Sequence, residues 1–322
     1  MTTGRLAEEK VAADEAETIE RFKAFIKEVM DKRAAESRGA RRRFNQTRGA
    51  GCVDAELEVP ADLAAPLTVG LFARPGTYRA RVRFANANSA SDRDVDIRGM
   101  AVKVMGVAGE NLTSGVTEQD FVLNSYPVMM ASDAKGFLEF LRAVEEHGFE
   151  TGAYFATHPK VLPIFLKARK HHSCHLDIPY WSATPYLFGA GHAVKYRMWP
   201  TSPQRSPDPG PRPSETYLTD ALIARLRDGD ATFELGVQFQ TDPDTMPIED
   251  AMEEWSEQDS PYRRVATLRI PKQRFDAAEQ WQACEAMRFD PWYALVEHRP
   301  LGGMNRARRA IYGAMAEYRI GH

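Results

Sequence analysis

A succession of segments in this chain alternates apolar with other residues at a period of two, and this constrains the fold more than any other feature. They are Val53/Ala55/Leu57/Val59, Tyr78/Ala80/Val82/Phe84, Met100/Val102/Val104, the short run Phe121-Val122-Leu123, His192–Trp199, Phe233/Leu235/Val237/Phe239 and Ala266/Leu268/Ile270. Side chains two apart share one face of a strand, so these segments predict an antiparallel sheet or closed barrel with one face on a core. Helical patterns interrupt the strands instead of alternating with them. One runs from about residue 7 to 35, within an N-terminal segment 1–35, with Ile19, Phe22, Phe25, Ile26, Val29 and Met30 as its apolar stripe. Another is capped by Ser132-Asp133, carries Phe137, Leu141 and Val144, and ends at Gly148. A third carries Leu218, Leu222, Ile223 and Leu226. This irregular order predicts an α+β fold. The proline-rich stretch 200–213 reads as a wrapping loop within one domain spanning 1–322, because strand patterning resumes after it.

Composition narrows the function. A net charge of −3 supplies no basic excess for nucleic acid, and the cluster Arg38–Arg43 is local. No apolar run reaches membrane-spanning length and the N-terminus has no signal-peptide core, which predicts a cytoplasmic protein. Cys52, Cys174 and Cys284 lie far apart and predict neither a disulfide framework nor a zinc site. His171, His172 and His175 resemble metal ligands, but no carboxylate completes an established spacing, so they read as a solvent-exposed helix end or loop. His298 reads as structural.

Two groups of residues carry possible chemistry. On the strand Tyr78–Ala85, the side chains Arg79, Arg81 and Arg83 share the face opposite the apolar one and need solvent, a carboxylate or a ligand. Near the C-terminus a helix-forming run places Arg308 and Tyr312 one turn apart, and Arg319 returns to that face two turns later. Such a pair can be ordinary packing. Alternatively, the Arg308 cation favours the phenolate of Tyr312, a hard anionic ligand suited to ferric iron.

Six pieces in order, from Arg48-Gly49-Ala50-Gly51 through Val82-Arg83-Phe84, Asp96-Ile97-Arg98-Gly99-Met100-Ala101-Val102-Lys103, Asn124-Ser125-Tyr126-Pro127-Val128 and Gly191-His192-Ala193-Val194-Lys195 to Arg308-x-x-x-Tyr312, resemble the haem catalase family over roughly residues 40 to 320. The resemblance implies a catalase-like antiparallel β-barrel with surrounding helices and one haem b, in a minimal version of the family. It makes Tyr312 the iron ligand, a tyrosinate as in catalase, with Arg308 holding the phenolate ionised. It assigns Arg43, Arg83 and Arg319 to the haem propionates, Phe137 to the access route and Asn124 to bound peroxide. The chain departs from the family where catalases carry a distal histidine, since Gln46 stands there, in Asn45-Gln46-Thr47-Arg48, and Ala85 replaces the distal serine. Glutamine cannot take a proton at neutral pH. The expectation is a haem oxidoreductase acting on organic hydroperoxides, with Gln46 and Thr47 orienting the substrate and weak dismutation of hydrogen peroxide. The alternatives are a hydroperoxide isomerase, lyase or dehydratase, like catalase-fold relatives that make allene oxides, and a haem carrier or sensor. A homodimer or a monomer is compatible with the short arm.

Overall fold

The computed structural model describes residues 4–37, 42–87, 91–148 and 152–320, so most of the basic cluster lies outside the described residues. The strands are β1 (Arg48–Val59), β2 (Gly76–Asn86), β3 (Arg98–Met105), β4 (Glu118–Asn124), β5 (Tyr180–Trp181), β6 (Tyr186–Leu187), β7 (Ala193–Pro200), β8 (Ala231–Phe239) and β9 (Arg263–Ile270). They neighbour one another in the order β5-β4-β3-β2-β1-β9-β8-β7-β6, and a further β5–β7 pairing closes the ring. The result is an eight-strand antiparallel barrel, because β5 and β6 share one edge of β7. Tyr180 and Trp181 oppose Met198 and Arg197, whereas Tyr186 and Leu187 oppose Val194 and Ala193. The helices are α1 (Glu15–Glu36), α2 (Ala134–His147), α3 (Gly152–Thr157), α4 (Val161–Ala168), α5 (Tyr217–Asp228), α6 (Ala278–Ala286) and α7 (Gly303–Ile320).

The period-two pattern does what its chemistry requires. Val82, Phe84, Val102, Leu235 and Leu268 point into the barrel with no exposed surface, each burial worth about 1.5–3 kcal/mol. The intervening residues face outward. In register across β2, β3 and β4, Arg83 lies beside Ala101 and Ala101 beside Val122, making a flat outer face. Against the barrel stands a helical layer with its own core, where Phe22, Ile26, Val29 and Met30 of α1 meet Leu138 of α2 and Ala307 and Ile311 of α7. Asp133 caps α2 by accepting from the Gly136 N–H at 2.8 Å.

Some expectations need correction. The first helix starts at Glu15, not near residue 7. Ala7 has a positive φ of 57°, and the Glu9 carboxylate is drawn to the Gly302 N–H, Arg299 and Arg306, which holds this stretch off the helical path. Cys52 and Cys284 are not independent: they form a disulfide joining β1 to α6, with Cα atoms 6.0 Å apart and 232 positions between them in sequence. Barrel closure, invisible in spacing, brings them together. Cys174 is free and buried. The 171–175 stretch is not uniformly solvent-exposed, because His175 is fully buried and its Nδ1 lies 3.1 Å from the Tyr180 hydroxyl. His298 is structural, as expected: its Nε2 accepts from the Leu71 N–H and its Nδ1 meets the Tyr196 hydroxyl, both at 3.1 Å. The 201–213 backbone is irregular, tied down where Arg93 Nε donates to the Pro213 carbonyl and the Ser206 N–H to Asp177. Among the described residues, no helix is long and apolar enough to cross a membrane, and no group of three His, Cys, Asp or Glu could hold a metal ion.

Candidate functional site

The outer face of β2–β4 and the helical layer do not touch along their whole length. Between them is a cleft with a cavity volume of about 160 Å³ that opens to solvent. Its sheet wall is Arg83, Ala101 and Val122, its helical wall Ile26 and Met30 from α1 and Ile311, Tyr312, Met315, Ala316 and Arg319 from α7, and one end is closed by Arg43, Phe44, Asn45 and Gln46. The small side chain of Ala101 keeps the sheet wall flat, so the cleft is suited to a planar guest.

On the helical wall Tyr312 accepts a hydrogen bond from Arg308 Nη2 at 3.2 Å, and the guanidinium carbon lies 5.2 Å from the phenol ring centre. Arg308 is fixed from behind, where Nη1 donates to Asn305 Oδ1 at 3.1 Å, and Asn305 is itself held by its Nδ2 donating to the carbonyls of Pro185 and Leu301. Burial works to lower the Arg308 guanidinium, but the Tyr312 and Tyr186 phenols carry it above its ordinary value, so it stays a cation against Tyr312.

At the opposite wall Gln46 has a φ of +55°, a conformation sparsely populated for a residue with a side chain. It is stabilised by the Gln46 N–H, which donates to the Ala87 carbonyl at 2.9 Å and to Asn45 Oδ1 at 2.8 Å. The turn folds the carboxamide onto Gly99, where a Cβ would collide with Oε1, Cδ and Nε2 of Gln46. Gly99 thus provides the space that Gln46 fills. Gln46 Oε1 is buried and has no partner in the protein, an acceptor left open at the end of the cleft.

Three guanidiniums, Arg43, Arg83 and Arg319, converge on the cleft, with Glu285 as the carboxylate paired to Arg43 and Arg83. Burial, then Arg83 and Arg319, push Arg43 down to about 9, and burial likewise lowers Arg83 and Arg319. Such crowding is relieved by anions. The Nε atoms of Arg43 and Arg83 are buried without hydrogen-bond partners.

Not every expected residue lines the cleft. Asn124 lies beside Gly99 in the next strand, but its Oδ1 accepts from the Tyr126 N–H at 2.9 Å, capping the turn before Pro127. Thr47 is outside the lining, and its N–H is 3.4 Å from the Ala87 carbonyl. Phe137 is turned into the helical layer, with ring centres 6.0 Å from Phe22 and 6.3 Å from Phe140. Arg308 sits behind Tyr312. Sequence reasoning missed Met30, Phe44, Arg288 and Phe289 in the lining. The apolar stripe of α1 contained the signal for Met30, but nothing showed where that stripe would dock.

Barrel, cleft and tyrosine face can be compared with known proteins. Three solved structures share the architecture over 91% of this chain: a fungal catalase with a TM-score of 0.70 at 17% identity, a bacterial catalase with 0.67 at 16%, and catalase A from Saccharomyces cerevisiae with 0.67 at 16%. The fold is catalase-like. This chain covers 62%, 60% and 64% of those three. In sequence it is similar to a catalase-related peroxidase of Mycolicibacterium paratuberculosis (strain ATCC BAA-968 / K-10), 28% identical over 185 residues. That match takes in 51% of this chain and 55% of the relative, about half of each. No family model matches. The cleft's residues would suit the haem expected from the sequence: a phenol backed by a permanent cation faces a flat wall, and three arginines with unpaired N–H groups or crowded charges stand at the edge.

Proposed function

We propose that the chain is a haem b peroxidase that acts on organic hydroperoxides and dismutes hydrogen peroxide poorly. When bound, haem supplies the iron at which an O–O bond is cleaved. Tyr312 would ligate the iron, with Arg308 donating a hydrogen bond to its oxygen and facing it with a positive charge, and Arg43, Arg83 and Arg319 would grip the propionates.

The observation that carries this reading is Gln46, held over Gly99 with its Oε1 open. Its amide can accept a hydrogen bond from a hydroperoxide O–H and donate one to the other oxygen, but it cannot move the proton between them. Loss of a positioned base costs about 10²–10⁴-fold. Ala85 adds no hydroxyl. Asn124 stands one strand away from Gly99 as a second amide, while Thr47 and Phe137 support the walls.

The test compares cumene hydroperoxide with hydrogen peroxide, using guaiacol as reductant. Guaiacol oxidation with the former and little oxygen release from the latter is expected. Rapid oxygen release would sink the proposal. Lipid hydroperoxide consumed without any reductant would move the chain to the rearranging enzymes, and inertness to all peroxides by haem-loaded protein would leave a carrier.

A further inference from the structure

Three of the four arginines that line the cleft, Arg43, Arg83 and Arg319, are held from behind by one turn, Cys284–Met287, at the C-terminal end of α6. Arg43 Nη2 donates to the Met287 carbonyl at 2.8 Å and lies 3.4 Å from those of Cys284 and Glu285. Arg319 donates to the Glu285 carbonyl and, at 3.4 Å, to that of Met287. Arg83 Nη2 reaches Glu285 Oε1 at 3.2 Å, and Arg43 Nε lies 3.7 Å from Oε2. Helix C-terminal carbonyls carry partial negative charge, so the turn gathers like charges that repel one another. Arg83 Nη2 also donates to the Gln46 carbonyl at 3.0 Å, which joins the same network to the segment Arg43–Gln46 that closes one end of the cleft.

This turn is tied to the barrel on both sides, by α6 before it and, after it, by the Asp290 N–H, which donates to Asp120 Oδ2 of β4 at 2.8 Å. Within α6, Cys284 alone is buried, and it is bonded to Cys52 of β1. Trp281 and Glu285 approach the barrel over Gly49, where a Cβ would stand 3.2 Å from the indole and 3.5 Å from Glu285 Oε1.

We infer that the Cys284–Met287 turn, Glu285 included, positions the three arginines for the cofactor's carboxylates, and that the Cys52–Cys284 bond makes cofactor retention sensitive to thiols. This rests on the haem reading above. A dithiol reductant gives two electrons and two protons to the bond, leaving thiols at Cys52 and Cys284 and becoming a cyclic disulfide itself. Freed from β1, the turn no longer fixes the guanidiniums, and their fork geometry toward paired carboxylates is lost.

Transfer of haem from the full chain to excess apomyoglobin, followed at the Soret band, tests this. Dithiothreitol, Cys284→Ser and Glu285→Gln are each expected to speed transfer about tenfold, the usual scale for removing an outer-shell partner. Glu279→Gln, on the exposed side of α6, should change nothing. Glu285→Gln leaves the bond intact, so it decides the matter even where Cys284→Ser fails to fold. With haem dimethyl ester, which lacks the carboxylates, oxidised and reduced protein should release at the same rate. Transfer unaffected by dithiothreitol and by Glu285→Gln, or accelerated equally for the ester, overturns the inference while leaving the haem reading intact. A chain that takes up no haem in either state loses both.

Discussion

On the proposed function Tyr312 and Gln46 divide the chemistry of the cleft, and both lie on its walls outside the barrel interior. Tyr312→Phe deletes the oxygen to which Arg308 donates and keeps the ring. It should abolish stable haem uptake or shift the Soret band, while the thermal midpoint of the haem-free chain changes little. Gln46→His restores a base at the end of the cleft, and oxygen release from hydrogen peroxide should rise by about 10²-fold. An unchanged rate would mean that Ala85 and Asn124 limit the reaction as well. Gly99→Ala acts through space alone. Its methyl group must displace the Gln46 carboxamide, a flexible end that can move, so peroxidase activity should fall while the fold persists. At this scale much was legible, because Arg83, Gln46, Tyr312 and Arg319 each sit at a fixed offset inside a short motif. Asn124, Thr47 and Phe137 were legible by position but not by orientation. Whether a side chain faces a cleft or a neighbouring ring depends on what docks against it, as Phe22 does against Phe137.

Among the elements, α7 is the one whose placement decides the site, and its N-terminal end is clamped. Gly302 precedes it with a φ of +87° and leaves no room for a Cβ beside the Ile248 carbonyl. Arg306 in its first turn binds Glu9, Glu15 and Glu249, tying the N-terminal segment and α1 to the helix that carries Tyr312. Arg306→Ala would leave Glu15 and Glu249 without this cation and Glu9 with Arg299 alone. A loss of about 2 kcal/mol is expected by chemical denaturation, less than for a fully buried pair because water reaches part of the cluster. The long strands and α2, α5 and α7 were readable because each holds its period for two turns or more, or for several alternations. β5 and β6 span two residues each, too short for any period to show. α6 has one buried residue, so no apolar stripe announced it, and its disulfide depends on a fold that brings residue 52 beneath residue 284.

For the molecule as a whole, acid is the informative stress. His298 lies in the core between the barrel and the approach to α7, and burial lowers it from 6.5 to about 4. The unfolded chain takes up this proton near pH 6.5, whereas the folded one resists it because a buried imidazolium would be deprived of water. Stability is therefore fully present above pH 6.5 and declines as the pH falls toward 4, by about 3 kcal/mol at the lower end. Urea midpoints at pH 7 and 4.5 would check this, and His298→Gln should flatten the difference. Buried His175 is shifted in the same direction and steepens the decline. The closed ring has one further property. Where β4 meets β5 it is joined through Asn124 opposite Trp181, and β5 meets β7 through Tyr180 and Trp181. This seam behaves like the slit in a split cuff: breathing motions concentrate there, since it has few ladder bonds to break. Amide deuteration should reach residues 180–182 well before 53–58, and water entering by that slit would reach the end of β4 at Asn124.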